Sequence, residues 1–185
     1  MSDSQSLIVN SPLGTHALEH FKYCPACGSH EFHKSSIKSK RCAHCGFEFF
    51  LNPSAACVAF IRNDRGELLV AVRDREPAKG TLDLPGGFAD YDESSEDNIR
   101  REVLEETGLQ VSRVRFLFSL PNLYLYSGMN IPTLDMFYEC TVDDVSTLHA
   151  DDDVAQLRWV AFKDIRPEEF GLLSVRRGVE IFIGK

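Results

Sequence analysis

The chain reads as a mixed α/β (α+β) domain preceded by a small module built on four cysteines, and two patterns carry that reading. One is a capped helix over residues 95–107 set among short apolar runs of strand character. The other is a doubled Cys-x2-Cys pair, Cys24 with Cys27 and Cys42 with Cys45. A length of 185 residues, 43% of them hydrophobic and thirteen of them Phe, suits one packed domain of about 130 residues and a smaller module beside it.

In chain order, residues 1–20 contain Ser, Asn and Pro with little periodicity and are expected to form a mobile arm. Their longest apolar run, Leu7 to Val9, is too short for a signal or membrane helix, which predicts a cytoplasmic protein with no membrane partner. Residues 21–50 hold the two cysteine knuckles, fourteen residues apart, each followed by a glycine, Gly28 and Gly46. This is the ligand pattern of a closed four-thiolate Zn²⁺ ribbon, with two disulfides or a redox pair as the competing readings. Such a site has no open coordination position, so its metal is expected to hold structure and to take no part in chemistry.

The larger domain is expected over 51–185. It opens with a run from Ala55 to Ile61, a turn at Asn63 to Gly66 and a second run from Leu68 to Val72, a hairpin by pattern. Arg73 and Arg75 follow, either as strand-end cations or as contacts to substrate phosphates. Next come Pro85, Gly86 and Gly87, which permit a tight turn and close backbone approach to a ligand, and then Phe88, a candidate substrate contact. Ser94 or Ser95 caps the helix and Gly108 stops it.

On this helix Glu102, Glu105 and Glu106 stand at i, i+3 and i+4, so three carboxylates share one face. A solvated acidic face would have this composition. So would a site for a hard divalent cation, which takes oxygen ligands and leaves positions open to phosphates. Beyond the helix, strands are expected over 111–120 and 133–142, joined by a segment containing Tyr124 and Tyr126, which either pack or stack a nucleobase. Asp151 to Asp153 precede a strand over 154–162; one of these acids, Asp153 the first choice, is a candidate further metal ligand or base. Pro167 is expected to open a final helix reaching Ile181, with Phe170, Leu173 and Ile181 facing inward. Cys57 and Cys140 sit in apolar runs and read as core residues.

The formal charge is −8, near neutral (+1) over residues 1–53 and −9 over the rest. That disfavours a general nucleic-acid binder. An acidic domain facing a phosphorylated substrate needs metal ions to bridge the two.

From Gly87 the chain runs five residues to Glu93, then seven to Arg101-Glu102-Val103-Leu104-Glu105-Glu106-Thr107-Gly108-Leu109. This resembles, at every fixed position, the box of the Nudix hydrolase family, G-x5-E-x7-R-E-U-x-E-E-x-G-U with U a bulky apolar residue. With the cysteine ribbon directly ahead of it, the whole is similar to the NADH pyrophosphatase subgroup. The resemblance implies an α/β/α sandwich around a mixed sheet, Mg²⁺ or Mn²⁺ as catalytic cofactor, and hydrolysis of a nucleoside diphosphate linked to another group. It further implies that Glu102, Glu105 and Glu106 bind metal, that the Gly87 carbonyl adds a ligand, that Glu102 doubles as general base, and that Glu93 and Arg101 brace the loop. The expected partner is a small-molecule nucleotide, with a homodimer allowed. The subgroup's Ser-Gln-Pro-Trp-Pro-Phe-Pro motif is replaced by residues 119–126, where only Ser119 and Pro121 match. The substrate therefore stays open among NADH, ADP-ribose and related pyrophosphates, and a non-catalytic nucleotide- or nucleic-acid-binding module is the rival.

Overall fold

The computed structural model describes residues 17–150 and 154–184. Most of the expected N-terminal arm, and Asp153 with its two neighbouring acids, lie outside the described residues. The chain groups into two units: residues up to 53 together with 123–132, and residues 54–122 together with those from 133 onward.

In the first unit, β1 (Phe32–Ser36), β2 (Ser39–Cys42) and β3 (Glu48–Phe50) form an antiparallel sheet in that order. Its core is small, with Cys24, Phe32 and Cys42 buried against Phe21 and Phe49. Lys40 closes one side, its Nζ 5.3 Å from the Phe32 ring centroid and donating to the Phe21 carbonyl at 2.6 Å. So little apolar area cannot stabilise a fold of this size without another tie.

The second unit is built on β4 (Ser54–Ile61), which lies between β7 (Gly86–Phe88), antiparallel to it, and β9 (Met129–Val142), parallel to it. The long β8 (Val111–Tyr126) completes this sheet at its edge, and a second sheet runs β10 (Val154–Ala161), β5 (Glu67–Arg73), β6 (Leu82–Asp83). Alternate residues of β4 enter two cores. Cys57, Ala59 and Ile61 pack with Ile99 and Val103 of α1 (Ser95–Thr107). Val58 and Phe60 pack with Val175 and Val179 of α2 (Leu173–Ile183). The helices therefore cover opposite faces of the sheet, an α/β/α sandwich, and a strand buried on both faces reads as an unbroken apolar run.

The expected hairpin at 63–66 is corrected by the structure. The turn exists, but beyond a bridge between Arg62 and Leu68 the strands diverge into different sheets. Both are buried on two faces, so each needs partners from elsewhere in the chain. The segment after Leu120 is likewise strand, running through Pro121 to Tyr126; an edge strand tolerates the missing N–H of proline. The last helix also starts later than expected. Pro167–Glu169 make a single 3₁₀ turn, and α2 begins at Leu173. That start turns Val175, Val179 and Phe182 inward with Phe170, while Leu173 and Ile181 are exposed. Phe182 stacks on Phe60 with centroids 3.9 Å apart.

Candidate functional site

Helix α1 starts at Ser94, whose hydroxyl accepts the Asp97 N–H at 3.1 Å, and ends at Gly108 in the left-handed conformation. Ile99 and Val103 fix its rotation, each contributing about 1.5–3 kcal/mol by burial. That rotation places Asn98, Glu102 and Glu106 in one line at four-residue spacing. The three glutamates sit at different depths: side-chain exposure is 47% at Glu105 and 13% at Glu102, and Glu106 is buried. Burial pushes the Glu102 carboxyl above its ordinary range, against the pull of Arg101.

The glycine pair is fitted to these acids. The Gly86 N–H donates to Glu106 Oε2 at 2.9 Å. A Cβ on Gly86, whose φ is +150°, would overlap the Cys57 carbonyl oxygen in β4. A Cβ on Gly87 would stand 2.6 Å from all three atoms of the Glu102 carboxylate. The turn thus lets one carboxylate bond the backbone and another lie flat against it.

Arg101 organises the remainder. Its guanidinium donates to Glu93 through Nε (2.6 Å) and Nη2 (2.9 Å), and to Glu102 and Glu105 through Nη1 (both 2.9 Å). It also holds the Phe88 carbonyl at 3.1 Å, which Asn98 Nδ2 bonds at 2.9 Å. Paired with Arg101 and accepting the Asp90 N–H, Glu93 has its pKa drawn down to about 2. The donor set of hard carboxylate oxygens at graded depth, beside a backbone with no Cβ in the way, fits a divalent cation such as Mg²⁺ or Mn²⁺. One guanidinium nitrogen bridges Glu102 and Glu105, so a metal shared by these two acids must displace it.

In the first unit the four cysteine sulfurs all lie within 4.8 Å of one another, and two pairs, Cys24 with Cys45 and Cys27 with Cys42, are 3.7 Å apart. Four sulfurs at about 2.3 Å from a tetrahedral Zn²⁺ stand about 3.8 Å from each other, so the residues fit that ion. The backbone N–H groups of Cys45 and His44 point at the Cys42 sulfur and lower its pKa, so that among these coupled thiols Cys42 is the one that gives up its proton first.

A family model described as the NUDIX domain matches residues 51–176. The chain belongs to the Nudix family. NAD-capped RNA hydrolase NudC of Haemophilus influenzae is 29% identical over 116 residues, covering 62% of this chain and 44% of that protein. The Shigella flexneri protein of the same name is 33% identical over 101 residues, covering 54% and 38%. The matched stretch therefore spans less than half of each curated relative. In fold, the chain is similar to a Nudix hydrolase from Nitrosomonas europaea (TM-score 0.69, 17% identity, 88% of this chain and 90% of that one). It is also similar to the Nudix domain of Shewanella oneidensis NrtR, solved with ADP ribose (TM-score 0.58, 20% identity, 71% and 86%).

Within the Nudix fold, Gly87, Glu102, Glu105 and Glu106 are brought together by β7 and α1, and Phe88 joins them through its backbone carbonyl alone. The other sequence candidates are placed differently. Arg73 is ion-paired with buried Asp83 and donates to the Pro77 carbonyl at 2.8 Å, which commits it to holding β5, β6 and the loop between them. Arg75 is exposed in that loop, and Tyr124 and Tyr126 belong to the first unit. Sequence reasoning missed Asn98, fully buried, whose Oδ1 is the one buried side-chain oxygen among the described residues without a partner. Its signal was available: it stands one turn before Glu102 on the same line. Buried Asp135, which accepts from Ser174, Thr133 and Asn122, was missed as well, since two of its partners, Asn122 and Ser174, come from other elements.

Proposed function

We propose that this chain is a divalent-metal-dependent nucleotide pyrophosphohydrolase that cleaves the diphosphate of a nucleoside diphosphate linked to another group, NADH and ADP-ribose among the candidates. The observation that carries the reading is the three-depth carboxylate cluster of α1 closed against Gly86 and Gly87. The names of the NudC relatives and the ADP ribose in the NrtR domain support a nucleoside diphosphate substrate. Glu102, Glu105, Glu106 and the Gly87 carbonyl would hold Mg²⁺ or Mn²⁺. What such ions supply when bound is charge neutralisation on the diphosphate and activation of water.

The chain's own groups do the rest. Glu102, largely sheltered against Gly87, receives the proton of the attacking water as a P–O bond of the diphosphate breaks, leaving two phosphomonoesters. Glu106 is oriented by the Gly86 N–H, and the Glu93–Arg101 pair keeps turn and helix in register. Phe88 is 41% exposed, and its carbonyl is pinned twice, by Asn98 and Arg101, which fixes the end of the glycine strand. A structural Zn²⁺ on Cys24, Cys27, Cys42 and Cys45 would complete the ribbon of residues 21–50. A cytoplasmic location is the matching proposal, supported by six unpaired cysteines; among the described residues no helix is long and apolar enough to cross a membrane.

The test is a panel of nucleotide pyrophosphates with Mg²⁺. Glu105→Gln and Glu106→Gln should each lower kcat by about 100-fold with unfolding curves like the wild type's. Near-normal turnover in both would overturn the assignment.

A further inference from the structure

Asn98 is fully buried near the start of α1, one turn ahead of Glu102. Its Nδ2 donates to the Phe88 carbonyl at 2.9 Å and lies 3.4 Å from Glu93 Oε2. Both partners are acceptors, which fixes the nitrogen on that side and the oxygen on the other. One amide thus fastens the loop over 88–93 to the helix at both of its ends. The peptide that follows Phe88 is held from two directions: its oxygen by Asn98 and by Arg101 Nη2 (3.1 Å), its N–H by the Ala55 carbonyl in β4 (3.1 Å). The Gly87 carbonyl stands one residue away, so only the two backbone dihedrals of Phe88 separate it from this pinned peptide.

The oxygen of the same amide is the anomaly. Asn98 Oδ1 is buried without a hydrogen-bond partner among the described residues, and a buried acceptor left so costs stability that an apolar side chain there would not. The donor is therefore what Asn supplies at this position. Arg101 already reaches the Phe88 carbonyl, but its Nη1 also bridges Glu102 and Glu105, where a shared cation must displace it. Nδ2 carries no charge and bonds Phe88 and Glu93 instead of the three acids, so it neither repels an incoming cation nor loses its partners to one.

We infer that Asn98 is a positioning residue: it holds the end of the glycine turn, and with it the Gly87 carbonyl, against the acids of α1 while Arg101 gives up its bridge to an incoming divalent cation. A partner that orients a ligand without touching the metal still governs affinity. The inference rests on the pyrophosphohydrolase reading for the identity of the site, and it adds a neutral residue whose effect is read in metal binding, apart from turnover.

Asn98→Ala and Asn98→Leu are compared with wild type in the full, zinc-loaded chain. Both lack the donor; Leu keeps a branched outline and Ala does not. The measurements are calorimetric Mn²⁺ titration, thermal unfolding without Mn²⁺, and steady-state hydrolysis of the pyrophosphate panel at one fixed Mn²⁺ concentration. Each variant should raise the Mn²⁺ Kd and lower kcat by about tenfold while KM stays within about twofold. Asn98→Ala, relieved of the unpartnered oxygen and better suited to a helix, should melt within about 3 °C of wild type. An unchanged Mn²⁺ Kd in both variants overturns the inference. So does a Kd that follows the melting temperature, weak in the less stable variant and near wild type in the other, which would make Asn98 a packing residue. If wild type hydrolyses none of the pyrophosphates, the activity reading falls, and the Mn²⁺ titration decides the role of Asn98 by itself.

Discussion

Adjacent Gly86 and Gly87 should fail in opposite ways when each is given a single methyl group. In Gly86→Ala the new Cβ overlaps the Cys57 carbonyl and stands 2.9 Å from Val58 Cα, both in the central strand β4, at a φ of +150°. Backbone in the middle of a sheet cannot step aside. Overpacking costs about 1–3 kcal/mol and the strained φ a similar amount, about 4 kcal/mol together. At about 3 °C per kcal/mol for a chain of this size, the unfolding temperature should fall by about 12 °C. In Gly87→Ala the clash is with the end of the Glu102 side chain, 2.6 Å away, which can rotate out. Stability should then change by less than about 1 kcal/mol, while displacement of a ligand lowers Mn²⁺ affinity and turnover by about 10- to 100-fold. The assays are thermal unfolding, calorimetric Mn²⁺ titration and steady-state hydrolysis on both variants. A wild-type melting temperature for Gly86→Ala, or unchanged Mn²⁺ affinity in Gly87→Ala, would refute the reasoning from Cβ clearance.

Two further outcomes are expected. Because its folded pKa of about 2 lies below its ordinary 4.5, Glu93 stabilises the fold fully above pH 4.5 and loses that contribution as pH falls toward 2. The melting-temperature gap between wild type and Glu93→Gln should therefore be widest at pH 6–7 and close across that acidic window; a gap independent of pH would contradict it. Cys42→Ala should abolish stoichiometric zinc in metal analysis of the purified chain, since three thiolates no longer close the tetrahedron; retention of one zinc per chain would remove these cysteines as its ligands.

What the sequence disclosed was what is determined locally. The helix over 95–107 was legible to its end residues because a Ser94 cap and a Gly108 stop need only their own neighbours. The cysteine knuckles were legible for the same reason. The pairing expected between 55–61 and 68–72 went wrong because the partners of β4 and β5 are distant strands, which no short-range pattern names. Pro121 looked like a break because its tolerance depends on an edge position that only the sheet order reveals. At the site, the acids were visible by spacing. Which of them would be deep, and that Arg73 would be drawn onto Asp83, depended on neighbours from other elements.

The parallel pairing of β4 with β9 joins Ser54 to Thr133 and Ile61 to Cys140, partners 79 positions apart in the chain. Contacts so remote make for slow folding, since the loop between them must be closed before they repay its entropy. During synthesis, β4 emerges with side chains destined for both cores and waits through the whole glycine turn and acidic helix for its neighbour. The acids of α1, mutually repulsive and bridged by Arg101, thus rest on a sheet that is complete only once the chain through residue 140 is free to pair.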